Sequence, residues 1–355
     1  MAYELLFADS LHGLNSAGAT APNNRFSGSS RTFVVANIFG SRSGLSPQSG
    51  FNGPNQTWLS TAAHTEGIVA CRGVFSSNAM RATTILDVYG SGTQHLTLCT
   101  KSDGALEVRR GTASGTVLAT SSAGVYDAAD ATTPRHFELK YGIDNTNGYI
   151  EVRLKKDGDA SHTVVIPMTT GLDTQNDTSA NVGFVQWYNS WASTGGFFRV
   201  GDFYLLADTG VNHFSDYLGA AYCLERRPNS DSSVQFTRSS GASNWSLVDE
   251  GVADGADYVH SATPGHRDKY GHSGGISDNV RVLAAMVEVT AYKESADDGA
   301  ITPLIESGST VALGNELSLA PTTWTYYRSK FVKNPDGDVD WTPAAINAVK
   351  FGQER

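Results

Sequence analysis

Strict alternation of apolar and polar residues runs through His136-Phe137-Glu138-Leu139-Lys140-Tyr141-Gly142-Ile143. After the turn Asp144-Asn145-Thr146-Asn147-Gly148 it resumes through Ile150, Val152 and Leu154, with Glu151, Arg153 and Lys155 between them. A period of two on both sides of such a turn predicts an antiparallel hairpin with one buried and one solvated face. On that wet face Glu138 and Glu151 would be cross-strand neighbours, with Lys140 and Arg153 beside them as ordinary charge pairs. Similar short runs recur at 32–39, 67–75, 83–89, 95–100, 105–109 and 116–119, then at 163–166, 181–188 and 197–207. Gly, Ser, Asn and Asp clusters separate them, the pattern of a sandwich or jelly roll. No amphipathic helix is legible before residue 210, so the predicted class is all-β.

The apolar run Glu4-Leu5-Leu6-Phe7 and the later run Phe198 to Leu206 are expected to pair and close a first domain over 1–209. Asp208 to His213 reads as its exit turn. Regions 10–30 and 41–57, rich in Gly, Ser, Asn and Pro and without periodicity, are expected as surface loops. A second β domain is expected over 214–355, opening with a strand at Tyr217–Leu224. Its nearly continuous apolar run from Val280 to Ala291 predicts a strand covered on both sides. Thr342 followed by Pro343, with Gly352 beyond, predicts one short C-terminal helix. Two domains also suit a length of 355 residues.

Charge narrows the function. With 36 acidic and 26 basic residues the net charge is -10, the wrong sign for a phosphate-binding surface, so nucleic acid is not an expected partner. No apolar run approaches the about 20 residues that cross a bilayer, and no membrane partner is expected. The start MAYELLFADS has neither a basic region nor a long apolar stretch, and is not expected to act as a signal peptide. Cys71, Cys99 and Cys223 are odd in number and far apart, as expected of buried thiols in a protein made in a reducing cytoplasm.

The hairpin HFELKYGIDNTNGYIEVRL and the strand GDFYLLADTG resemble the concanavalin A-like or laminin-G-like jelly roll of tailed-bacteriophage virion proteins. LGAAYCLERRPNSDSS, FTRSSGASNWSLVDE, ADYVHSATPGHRDKY, VRVLAAMVEVTAYKESADDGA and NPDGDVDWTPAAINAVKFG resemble the module that follows it there. The resemblance implies a non-enzymatic structural component of the virion, in tail, fibre or head surface, made in the host cytoplasm. It implies other virion proteins as partners, self-association into a homo-oligomer, and no cofactor. The alternatives are a lectin-like module that recognises host-surface glycan, and a hydrolase of surface polymer.

Several motifs compete with plainer readings. Gly271-His272-Ser273-Gly274-Gly275 has the letters of a nucleophile elbow but lacks the buried strand and following helix that the elbow requires. His260, His266 and His272, near Asp257 and Asp268, recur at six-residue steps that fix no shared face for a metal. Asp336-Gly337-Asp338-Val339-Asp340 alternates carboxylates without an EF-hand's glycine and glutamate positions. Trp187, Tyr188, Asn189 and Trp191 offer stacking rings and an amide to a sugar, but core is the first reading of such a cluster and interface the second. Trp324, Tyr326, Tyr327 and Ile346 are candidate subunit contacts or core of the second domain.

Overall fold

The computed structural model describes residues 3–9, 33–39, 42–47, 55–75, 82–127, 132–189, 191–192, 196–211, 213–221, 224–250, 255–272, 274–294, 299–322 and 324–355, with backbone alone over 6–62 and 188–200. Two compact units result, one running through Leu224 and one from Glu225 to Arg355.

The first unit opens with β1 (Glu4–Asp9), β2 (Phe33–Phe39), β3 (Arg42–Pro47), β4 (Asn55–His64) and β5 (Glu66–Phe75). Next come β6 (Thr83–Tyr89), β7 (Gln94–Thr100), β8 (Leu106–Arg110), β9 (Thr116–Thr120) and β10 (Arg135–Gly142). It ends with β11 (Gly148–Lys156), β12 (Thr163–Leu172), β13 (Val182–Asn189), β14 (Trp191–Ala192) and β15 (Gly196–Ala207). One sheet runs β12-β11-β10-β5-β15-β3-β2, with β1 and β14 also on β15; the other runs β4-β13-β6-β7-β8-β9. This is an all-β jelly-roll sandwich, the class the alternation predicts.

In the hairpin the core takes one side of each strand. Phe137, Leu139 and Tyr141 of β10 and Ile150, Val152 and Leu154 of β11 join Leu86, Val88, Leu98 and Val108 of the second sheet. The first and last strands pair as expected, Leu5 opposite Leu206. Region 41–57 departs from its predicted loop: β3 adds to β2 and β15, and the first residues of β4 lie on β13. Strand pairing there overrides weak local propensity. Region 10–30 lies outside the described residues.

The second unit begins with β16 (Pro228–Ser233), β17 (Thr237–Arg238), β18 (Val259–His260), β19 (Arg267–His272) and β20 (Ala285–Ala291). It continues with β21 (Ala300–Ser307), β22 (Thr310–Leu313), β23 (Leu317–Ser318), β24 (Thr325–Phe331), α1 (Pro343–Ala348) and β25 (Lys350–Glu354). Its largest sheet runs β16-β19-β25-β21-β22, with β23 on β21, while β17–β18 and β20–β24 form two-stranded ribbons. Helix α1 starts as predicted: Thr342 Oγ1 accepts from Ala345 N at 3.1 Å, and Pro343 is the first helical residue. The apolar run 280–291 is less covered than predicted. Only 285–291 is strand, paired with β24, and Val287 is its one buried residue. No helix among the described residues is long and apolar enough to cross a membrane.

Candidate functional site

The site grows from the hairpin's polar face. Because side chains alternate, His136, Glu138 and Lys140 of β10 point away from the face that carries Phe137, Leu139 and Tyr141. The register sets His136 opposite Lys155, Glu138 opposite Arg153 and Lys140 opposite Glu151, so the two glutamates are not direct partners. Nor is this face solvated: His136 is 3% exposed, Glu138 1% and Glu151 8%.

The cover is the segment 213–221, whose residues from Tyr217 onward the sequence predicts as the start of a strand, Tyr217–Leu224, of the second domain. It forms no strand, and it belongs to the first unit. His213 N and Phe214 N both donate to Tyr3 O, at 3.0 and 2.9 Å. Lys140 Nζ donates to Asp216 Oδ1 at 3.0 Å, and the Arg153 guanidinium lies 3.8 Å from the centre of the Tyr217 ring. Gly219 N donates to Glu138 Oε1 at 2.9 Å. Lys140, Arg153 and Glu138 of the polar face are thus each met by the segment. Arg153 also donates to Glu151 Oε1 at 2.7 Å.

Beneath this cover lies a cluster of titratable groups. Tyr204 OH donates to the same Glu138 Oε1. Glu138 Oε2 sits 3.5 Å from His162 Nε2, and that nitrogen is 2.9 Å from His136 Nδ1. The His136 ring stacks on Tyr204 with centroids 6.0 Å apart. Burial pushes the Glu138 carboxyl up to about 7, although Tyr204 and Gly219 pull the other way. Burial, with Lys155 and Arg153 adding repulsion, lowers His162 to about 4. At neutral pH His162 is therefore an uncharged imidazole with one N–H. The His-x-Glu spacing on an alternating strand was the available signal for this site. What was missing was the cover.

Other candidates fall elsewhere. Trp187 has no exposed surface and packs in the core, 4.7 Å from the Phe203 ring, so its side chain reaches neither glycan nor neighbour. The side chains of Tyr188, Asn189 and Trp191 lie outside the described residues. Tyr327 is buried, and its hydroxyl accepts from Ala320 N at 2.6 Å. Tyr326 is half-buried on the alternate face of β24. Trp324 is half-buried with its ring edge-on to Tyr292 at 4.5 Å. Ile346 packs partly buried against the Trp341 core.

The second unit's charged motifs form framework contacts. Asp268 is fully buried; its Oδ1 accepts from Gln235 N at 2.7 Å and Phe236 N at 2.8 Å, and its Oδ2 from Asn244 Nδ2 at 2.6 Å and Tyr270 OH at 2.8 Å. His266 Nδ1 meets Ser261 Oγ at 3.0 Å, and His272 Nε2 donates to Ile346 O at 3.1 Å. The 336–340 turn is closed by Asn334 N donating to Val339 O, and Asp340 pairs with Lys333. Ser273 and Cys223 lie outside the described residues. Cys71 and Cys99 are buried free thiols, and burial pushes Cys99 up to about 11.

No protein-family model matches the chain, and no curated protein sequence does. Among solved structures it is similar to a sialidase, at 11% identity and TM-score 0.35, over 59% of this chain and 19% of that one. It is similar to the lectin from Bauhinia forficata in complex with GalNAc, at 9% identity and TM-score 0.37, over 57% and 98%. A third is the CBM2 module of the Lactobacillus casei BL23 phage J-1 evolved Dit, at 11% identity and TM-score 0.36, over 61% and 98%. The chain thus spans about a fifth of the sialidase's length. Likeness at this level bears on neither activity nor ligand.

Proposed function

We propose that this chain is a non-enzymatic structural component of a tailed-phage virion, placed in the tail, a fibre or the head surface. In this reading the first unit is a concanavalin A-like jelly roll, and the protein works as a homo-oligomer among other virion proteins. One observation carries it. In the segments that resemble the phage module, the residues with chemical potential are used as framework. Asp268 of ADYVHSATPGHRDKY ties down the backbone where FTRSSGASNWSLVDE begins and the Asn244 side chain within it. Trp341 of the C-terminal segment is buried and donates its Nε1–H to Phe331 O at 2.7 Å. A surface made for assembly needs a rigid scaffold of this kind more than a reactive cleft.

Mass spectrometry of purified virions tests the reading. The chain is expected in several copies per particle, scaling with the major capsid protein across preparations. Its absence from particles overturns the proposal. In that case a glycan array on the full chain separates the lectin-like module from the polymer hydrolase.

A further inference from the structure

We propose that His136, Glu138 and His162 form a buried binding site for a single Zn2+ ion, with Tyr204 and Gly219 holding the glutamate in place. Among the described residues this is the one group of three His, Cys, Asp or Glu side chains whose ligand atoms all lie within 4.8 Å of one another. Its dimensions suit the ion. Zn–N and Zn–O bonds of about 2.0–2.1 Å in a tetrahedron separate neighbouring ligand atoms by roughly 3.3 Å. Two edges of the cluster, 2.9 Å between His136 Nδ1 and His162 Nε2 and 3.5 Å from that nitrogen to Glu138 Oε2, bracket this value.

The carboxylate is arranged as a one-oxygen ligand. Tyr204 OH and Gly219 N both occupy Oε1. Oε2 faces the imidazoles and, among the described residues, accepts no hydrogen bond although fully buried. A buried carboxylate oxygen without a donor is costly, and a cation at that point removes the cost. Holding the far oxygen is how outer partners orient a metal ligand. Two imidazoles and one carboxylate select a transition metal over Ca2+ or Mg2+, which prefer all-oxygen sets.

Neighbouring cations are partly answered already. Arg72, opposite His136 on β5, pairs with Asp157 and lies 3.6 Å from Asp202, while Arg153 pairs with Glu151. Lys155 stands across the hairpin from His136. With His162 the most exposed of the three ligands, at 12% of its side chain, access runs past that imidazole. A fourth position is left for water. Because Gly219 belongs to the covering segment, the ion would tie that segment to the sheet.

Calorimetric titration of the full chain with Zn2+, after removal of metal by chelator, tests this. Co2+ serves as a parallel spectroscopic probe. One Zn2+ per chain and the visible absorption of four-coordinate Co2+ are expected, both lost in His162→Ala. Tyr204→Phe should weaken Zn2+ binding about 10- to 100-fold without changing the stoichiometry. His266→Ala, in the second unit, should leave both readouts unchanged. The proposal is overturned if the wild-type chain takes up no Zn2+, or if uptake survives His162→Ala or disappears with His266→Ala. Should His162→Ala fail to fold, an unchanged affinity in Tyr204→Phe overturns it instead.

Discussion

In the first unit, 24 described residues join one buried apolar cluster between two sheets; in the second, 5 form a cluster that includes Trp341. The second unit compensates with polar fasteners, chief among them Asp268 and its four donors. The first unit uses the same device on the outside of its sandwich, where Glu138 receives Tyr204 and Gly219. A sheet whose inner face is already packed needs only a covering segment. A small β unit with a thin core needs its loops pinned by side chains. The contrast explains why motifs that resemble sites in the sequence are scaffold in the fold.

That comparison breaks most visibly at Trp187. Trp187→Ala empties the centre of the larger core and should cost about 3–5 kcal/mol, measured by denaturant unfolding of the full chain. A loss below about 1 kcal/mol would place that ring outside the load of the sandwich. Asp268→Ala comes next, because it strands four donors in a buried place; about 2–4 kcal/mol is expected, read as lost protection within the second unit. Asp268→Asn, which keeps one acceptor oxygen, should cost less.

The smallest effect sharpens the comparison through pH. Hydrogen bonds from Lys269 and then Lys350 lower the Glu306 carboxyl below its usual range, with burial opposing them. A depressed folded-state value means the pair stabilises above the ordinary glutamate range and is lost as pH falls through the folded value. The wild-type second unit should therefore lose about 1 kcal/mol more than Glu306→Gln on acidification below about pH 4.5. Equal acid sensitivity in the two chains would show the pair to be inert.

Alternation made the hairpin, its turn and its core face legible, and Thr342-Pro343 marked the short C-terminal helix correctly. It could say that the two faces of β10 differ, but not that the polar face would be covered. That depends on contacts between residues 138 and 219, and on a segment whose own sequence suggested a strand. The same limit hid the Asp268 fastener: its donors lie 24–33 residues upstream apart from Tyr270, and no local period records them. Continuous apolar sequence over 280–291 misled in the opposite sense. Hydrophobicity there reports a preference for burial, and among the described residues the fold supplies one flanking strand, β24.

Residue-resolved hydrogen exchange on the full chain tests most directly the claim that buried carboxyls fasten both units. The amides of Gly219, Gln235 and Phe236 belong to no strand, yet each donates to Glu138 or Asp268. They should exchange slowly, near the rates of β10 and β19, and Asp268→Ala should release Gln235 and Phe236 while leaving Gly219 protected. Exchange of all three at open-loop rates in the wild-type chain would contradict the account.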